Sequence, residues 1–203
     1  MNNPLRKDLD LISQWITSES HVLDLGCGNG VLLAYLQHYR QVTGYGLEID
    51  EKNLLACLKA KVNVIQADLD QGLADFADNS FDYVIMTQTL QAMQNPLKIL
   101  REMLRVGKQG IITFPNFGHW QARLNIGLGG RMPVSRVLCH QWYDTPNIHL
   151  CTLRDFEKLC RDNHIKILRR TVVDHAHHRN WRTRLWPNLL GEIALYRVTQ
   201  ADK

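Results

Sequence analysis

The sequence predicts an α/β domain in which a mostly parallel sheet carries helices on both faces. Two observations predict it. Short apolar, β-branched runs alternate with longer stretches of helical period, and the first of those runs passes directly through a glycine-rich turn into a helix. Parallel neighbours need a crossover long enough to hold a helix, so this alternation marks βαβ units.

Taken in order, the strands are expected at His21–Leu25, Val42–Leu47, Val62–Gln66, Tyr83–Thr87, Gln109–Phe114, Ile165–Val173 and Ile193–Thr199. Between them, Leu5–Thr17 has apolar residues at 5, 9, 12 and 16, Gly30–Tyr39 at 31, 32, 35, 36 and 39, and Leu97–Arg105 at 97, 99, 100, 103 and 104. Each pattern is an amphipathic helix able to cover a sheet. Thr152 followed by Asp155 resembles a capping box, so the last helix starts near Leu153, with Phe156, Leu159 and Cys160 as its apolar stripe. Pro115–Leu150 has no clear period and is too long for an ordinary loop in a compact domain. A lid or partner surface with some helix of its own is expected there.

With 203 residues, 45% hydrophobic and 22% charged, the chain suits one sizeable core, and 1–203 is expected to form a single domain. Its longest apolar runs, such as Val84–Met86, are far too short for a membrane span, and Met1–Lys7 is followed by no apolar signal segment. Five cysteines without a C-x-x-C pair fit a reducing cytoplasm. A net charge of +4 does not by itself point to nucleic acid.

The chemistry concentrates at Asp24-Leu25-Gly26-Cys27-Gly28-Asn29-Gly30. Closely spaced glycines permit φ > 0 and let a nucleotide-like ligand lie against the backbone and its N–H groups. The third glycine falls two residues after the second, whereas the dinucleotide fingerprint puts it three after. Asp24 favours a cation over a pyrophosphate. S-adenosylmethionine (SAM), with an ammonium beside a sulfonium, meets both conditions. The second strand ends at Glu48, 22 residues after Gly26, where a carboxylate can accept from both ribose hydroxyls. Asp50 is the neighbouring alternative, and Ile49 lies between them. Asp68, at the end of the third strand and followed by Leu69, is the expected acceptor for an adenine amino group, and Thr87 ends the fourth strand at the same rim. Any one acid alone reads as a cap or a solvated carboxylate. Three at successive strand ends behind a glycine turn are far more specific.

These residues, with Asn79–Ile85, resemble class I SAM-dependent methyltransferases. Leu23–Gly30, Gln88-Thr89-Leu90-Gln91, Phe114–Trp120 and Trp186-Pro187-Asn188-Leu189 more narrowly resemble the MetW family of methionine biosynthesis proteins. The resemblance implies a Rossmann-like sheet of seven strands in the order 3-2-1-4-5-7-6, a SAM site, and association with homoserine O-acyltransferase. The family has no well-established methyl acceptor.

Methyl transfer is an in-line displacement, which requires a positioned nucleophile and, where that nucleophile carries a proton, a base. His119 is the candidate base, with Trp120, Trp142 and Tyr143 as candidate walls; a lid histidine bonded to backbone is the alternative. Asn116 and Gln88 are candidates to touch SAM or an acceptor. The Asn/Asp-Pro-Pro-aromatic motif of amino-methylating enzymes is missing, since the chain reads Met86-Thr87-Gln88-Thr89-Leu90-Gln91. Cys139, His140, His149 and Cys151 match no common zinc spacing, and His175, His177 and His178 read as a solvated loop, so no metal is expected. The loop Asp174–Asn188 carries Arg179, Arg182 and Arg184, and the Pro115–Leu150 stretch carries Arg123, Arg131 and Arg136. Topology puts both at the ligand side, which suggests an acidic partner surface. RNA is the rival reading, disfavoured by the modest charge.

Overall fold

The computed structural model describes residues 5–135, 137–173 and 185–201. Its strands are β1 (His21–Leu25), β2 (Thr43–Glu48), β3 (Val64–Gln66), β4 (Phe81–Thr87), β5 (Gly107–Pro115), β6 (Ile165–Val173) and β7 (Ile193–Gln200). They form one sheet in the order β3-β2-β1-β4-β5-β7-β6. Pairing is parallel from β3 to β5, and β7 is antiparallel to both β5 and β6. This is the expected topology. β6 therefore runs with the central strands, and Pro115 and Val173 both end beside Ile193, at the rim where the first four strands also end.

The helices are α1 (Lys7–Ser13), α2 (Val31–Arg40), α3 (Glu51–Lys59), α4 (Pro96–Val106), α5 (Trp120–Gly127), α6 (Leu153–Asp162) and α7 (Pro187–Leu190). Side chains alternate across a strand, so each central strand feeds two cores. Leu23, Leu25, Val84, Met86, Ile112 and Phe114 pack with α4 and α6 on one face. Val22, Tyr83, Ile85 and Ile111 pack with α1 and α2 on the other.

Several boundaries differ from the sequence expectation. α1 stops at Ser13, although Trp15 and Ile16 remain buried, because Trp15 donates to Ile12 O and the chain tightens into a turn. β3 begins two residues late, and Val62 packs beneath Gly30 instead of pairing. α3 went unassigned from the sequence; it is capped by Asp50, whose side chain accepts from Asn53 N at 3.0 Å, and it buries only Cys57. The capping box on α6 is present as expected, with Thr152 and Asp155 bonded reciprocally. No helix among the described residues is long and apolar enough to cross a membrane.

Candidate functional site

The alternation that turns Leu23 and Leu25 toward α4 and α6 turns Asp24 to the opposite face, where it is only 1% exposed. Its Oδ1 has no hydrogen-bond partner among the described residues. Burial first, and the charge of Glu48 second, raise its carboxyl from the ordinary 3.8 to about 7. A buried ionised carboxylate without a partner is costly, and a cation at that oxygen would remove the cost.

The glycine loop differs from expectation in how it uses its amides. Gly26 N and Cys27 N both donate to Leu47 O, at 2.8 and 3.1 Å, and Gly30 N donates to Cys27 O. Gly28 N donates to Glu48 Oε2 at 2.8 Å. An anion-binding loop keeps such donors for its ligand; here they bind the loop to β2. What the turn offers instead is open backbone at Gly28, where φ is +56° and a Cβ would meet nothing within 4 Å. A flat or cationic group can approach there; a pyrophosphate finds few free donors.

Glu48 and Asp50 separate cleanly. Glu48 is buried and also accepts from Ile49 N and Asp50 N, at 2.9 and 3.0 Å, whereas Asp50 is committed to capping α3. Ile49 is 61% exposed at the strand end, an apolar surface for a ring. Asp68 is half-buried and accepts from Asp70 N at 3.0 Å, which makes it a cap as well as a rim acid. The Leu69 side chain lies in the core, so only its backbone is available to a ligand. Thr87 is half-buried, and its carbonyl accepts from the Thr89 hydroxyl. Asn29 is exposed, with Oδ1 3.4 Å from Val31 N. Cys27 points under the loop: its Sγ lies 3.8 Å from that of Cys57, which bonds Gly28 O, and burial pushes both thiols up. Strand register thus gathers Asp24, the glycine turn, Glu48, Ile49, Asp68 and Thr87 on one rim.

Beyond β5 the rim changes character. A cavity of about 490 Å³ is lined by Asn116, His119, Asn125, Ser135, Leu138 and Glu192, among others. His119 is buried as the residue preceding α5, with Nε2 3.8 Å from Glu192 Oε1. Their separation of 73 positions hid this pair from any spacing argument. Trp120, Trp142 and Tyr143 do not line that cavity; they are 42%, 73% and 71% exposed. Asn116 is a clamp: its Nδ2 donates to Asn188 O and Gly191 O, and its Oδ1 accepts from Gly118 N. Asn188 Oδ1 in turn accepts from Leu153 N. Gln88 takes a positive φ and donates its N–H to Thr113, while Gln91 O receives the N–H groups of Ile148 and His149. The Phe114–Trp120 and Trp186–Leu189 motifs, far apart in sequence, therefore meet, and Gln91 fastens the backbone at Ile148 and His149.

Arg123 donates through Nε to Gly118 O. Arg136, Arg179, Arg182 and Arg184, with His175, His177 and His178, lie outside the described residues. Among the described residues no three His, Cys, Asp or Glu side chains are grouped to hold a metal.

Comparison with known proteins agrees with this geometry. The family model described as "Methionine biosynthesis protein MetW" matches residues 6–198. The "Bifunctional methionine biosynthesis protein MetXA/MetW" of Rhodopirellula baltica is 41% identical over 164 residues. That alignment covers 76% of this chain and 26% of the relative, so the chain spans about a quarter of the relative's length. Among solved structures, a SAM-dependent methyltransferase from Mesorhizobium loti has a TM-score of 0.69 at 15% identity, covering 95% of this chain and 97% of that one. A SAM-dependent methyltransferase from Thermotoga maritima has a TM-score of 0.65 at 17% identity, covering 96% and 87%. The [4+2]-cyclase SpnF also has a TM-score of 0.69 at 17% identity, covering 97% and 82%, so the shared fold carries more than one chemistry. With a class I methyltransferase-type sheet and a family match spanning almost its whole length, this chain belongs to the MetW family of methionine biosynthesis proteins.

Proposed function

We propose that this chain binds SAM at the rim of β1 to β4 and serves as an accessory subunit that activates or regulates a homoserine O-acyltransferase. The observation that carries the partnership is the Rhodopirellula baltica relative, a single polypeptide named for both MetXA and MetW, whose MetXA part we take as the acyltransferase. The observation that supports SAM is the orphaned Asp24 oxygen beside a turn whose amides are already bonded.

In this reading Asp24 faces the ammonium of SAM, Glu48 accepts from the ribose hydroxyls, Ile49 covers the adenine, and Asp68 with the Leu69 backbone meets its edge. Glu48 holds Gly28 and the start of α3 in place while it does so. Bound SAM would supply a methyl group on a cationic sulfur. For SAM to regulate the partner it must bind the free and partnered chain with different affinity, and the partner must change SAM affinity by the same factor.

The test is an acyltransferase assay with and without this chain, repeated with SAM. Stimulation and co-purification are the expected results; neither appearing would sink the proposal.

One observation favours a second reading, a SAM-dependent methyltransferase acting on a small-molecule acceptor. The cavity holding His119 and Glu192 is large enough for a small substrate, and its one carboxylate disfavours an anionic one. There His119, oriented by Glu192, would take the proton from an amine or alcohol nucleophile. SAM turnover with an identified acceptor, lost in His119→Ala while SAM still binds, would establish it.

A further inference from the structure

Among the described residues twenty large hydrophobic side chains are exposed, and ten of them fall between Trp120 and Leu150. α5 shows why. Its only buried residue is Ala122, while Trp120, Leu124 and the C-cap Leu128, spaced four apart on one face, are 42%, 45% and 84% exposed. Helices of two turns are marginal in water without tertiary packing, and exposed apolar side chains concentrated in one segment mark an interaction site. Met132, Trp142 and Leu150, themselves 43%, 73% and 50% exposed, line a small groove with Phe117 in the same segment.

The segment is fixed in place. Ile148 and His149 donate their N–H groups to Gln91 O, and Asn116 and Arg123 bond the backbone on either side of the turn into α5. Charge narrows the occupant. Pro115–Leu150 contains three arginines, Arg123, Arg131 and Arg136, against a single acid, Asp144. A second copy packed about a two-fold axis would set one net-basic segment against another.

We infer that the α5 face carrying Trp120, Leu124 and Leu128, together with Met132, Trp142 and Leu150, is the surface on which an acyltransferase subunit docks, through an apolar patch rimmed by carboxylates. This rests on the acyltransferase partnership proposed above. The fused relative supplies the occupant: its MetXA and MetW parts share one chain, which holds them at high effective concentration. The SAM rim lies toward β3 and the docking surface beyond β5, so ligand and partner can bind together.

The experiment measures binding of the full chain to the homoserine O-acyltransferase of the same organism by titration calorimetry, for wild type, Trp120→Ala, Leu128→Ala and Trp142→Ala. Buried aromatic anchors of interfaces are worth 2 kcal/mol or more, so the two tryptophan variants should each weaken binding about 30-fold or more. Melting temperature and SAM affinity should stay at wild-type values, since the side chains are exposed and away from the SAM rim. Leu58→Ala, on exposed α3 at the opposite end of the sheet, should bind as wild type does. Full affinity in all three lid variants overturns the docking surface and leaves the partnership standing; no binding by wild type overturns both. Self-association of the wild-type chain that Trp120→Ala abolishes, or sedimentation with phosphatidylglycerol vesicles that it prevents, assigns the surface elsewhere and overturns the inference.

Discussion

The two halves of the carboxyl rim are built in opposite ways. From β1 to β3 the connections are short, the loop amides are paired with β2, and Glu48 alone accepts three backbone N–H groups. One buried carboxylate oxygen, on Asp24, is left over. Beyond β5 a long connection carries a two-turn helix that buries one residue and exposes a tryptophan and two leucines on a single face. The first half leaves one buried carboxylate oxygen unpaired; the second presents more apolar surface than its described residues cover. On the reading proposed above, a ligand site and a partner site differ in what each leaves unsatisfied.

Glycine-to-alanine exchange makes that contrast measurable, and the largest effect is expected at Gly44. It pairs with Val22 across β1 and β2, takes φ +144°, and a Cβ there would sit 1.8 Å from the Val22 carbonyl oxygen. Only separation of the strands relieves such a contact. Gly44→Ala should lose more than about 4 kcal/mol, the range of the most damaging point changes. Denaturant unfolding or simple loss of soluble protein would read it, and near-wild-type stability would mean that β1 and β2 are far less rigid than described.

Next in size is Asp24→Asn. It keeps the shape of the side chain and removes the charge proposed to face the ammonium of SAM. SAM affinity should fall by about 100-fold, within the 3 kcal/mol lost when a charged hydrogen-bonding partner is removed. The free protein should behave oppositely, because the native carboxyl must be charged without a partner at neutral pH. At pH 8 the variant should melt higher than wild type, and calorimetry with and without SAM reads both effects. Retained SAM affinity would move the ammonium away from Asp24.

Most of the first half was legible because it is local. A strand followed by glycines, and acids at three successive strand ends, fixes the rim without any long-range information, and Thr152 with Asp155 announces α6 within four residues. Glu48 could be preferred over Asp50 from strand alternation; that Asp50 caps α3 required the helix, which its single buried residue left faint in the sequence. The amides of Gly26 and Cys27 read as ligand donors because their acceptor, Leu47 O, belongs to another strand. His119 and Glu192, or Asn116 and Asn188, are brought together only by the pairing of β5 with β7. Pro115–Leu150 lacked a period for a physical reason: α5 carries its apolar residues, Trp120, Ala122, Leu124, Ile126 and Leu128, at alternate positions, which spreads them around the helix and leaves no core-facing stripe.

A smaller effect follows from pH. The Asp24 carboxyl is raised to about 7, so below that value the native state holds a proton that a carboxylate-cation contact must expel. SAM affinity should therefore rise about tenfold per unit from pH 5.5 toward 7 and then level, with a proton released on binding. Stability of the free protein has the reverse slope. A raised acid binds its proton more tightly folded than unfolded, so its contribution is fully present below 3.8 and is lost as pH rises through about 7. Asp24→Asn should flatten both curves; a wild-type affinity independent of pH from 5.5 to 7 would separate Asp24 from the ligand.

The smallest effect is expected at Gly127, the last residue of α5, where an added Cβ would meet nothing within 4 Å. The backbone there is already helical, so alanine removes freedom from the unfolded chain and adds no clash. Such exchanges contribute about 0.5–1 kcal/mol. If α5 is formed in the free chain, Gly127→Ala should raise its melting temperature by about 1–4 °C, at 2–4 °C per kcal/mol for a protein of this size. If α5 forms only against the acyltransferase, the melting temperature stays put and the same free energy appears as about two- to fivefold tighter partner binding. A loss of stability would break the comparison with Gly44 outright, because it would require the outer face of the lid to be packed as tightly as the strands beneath the SAM rim.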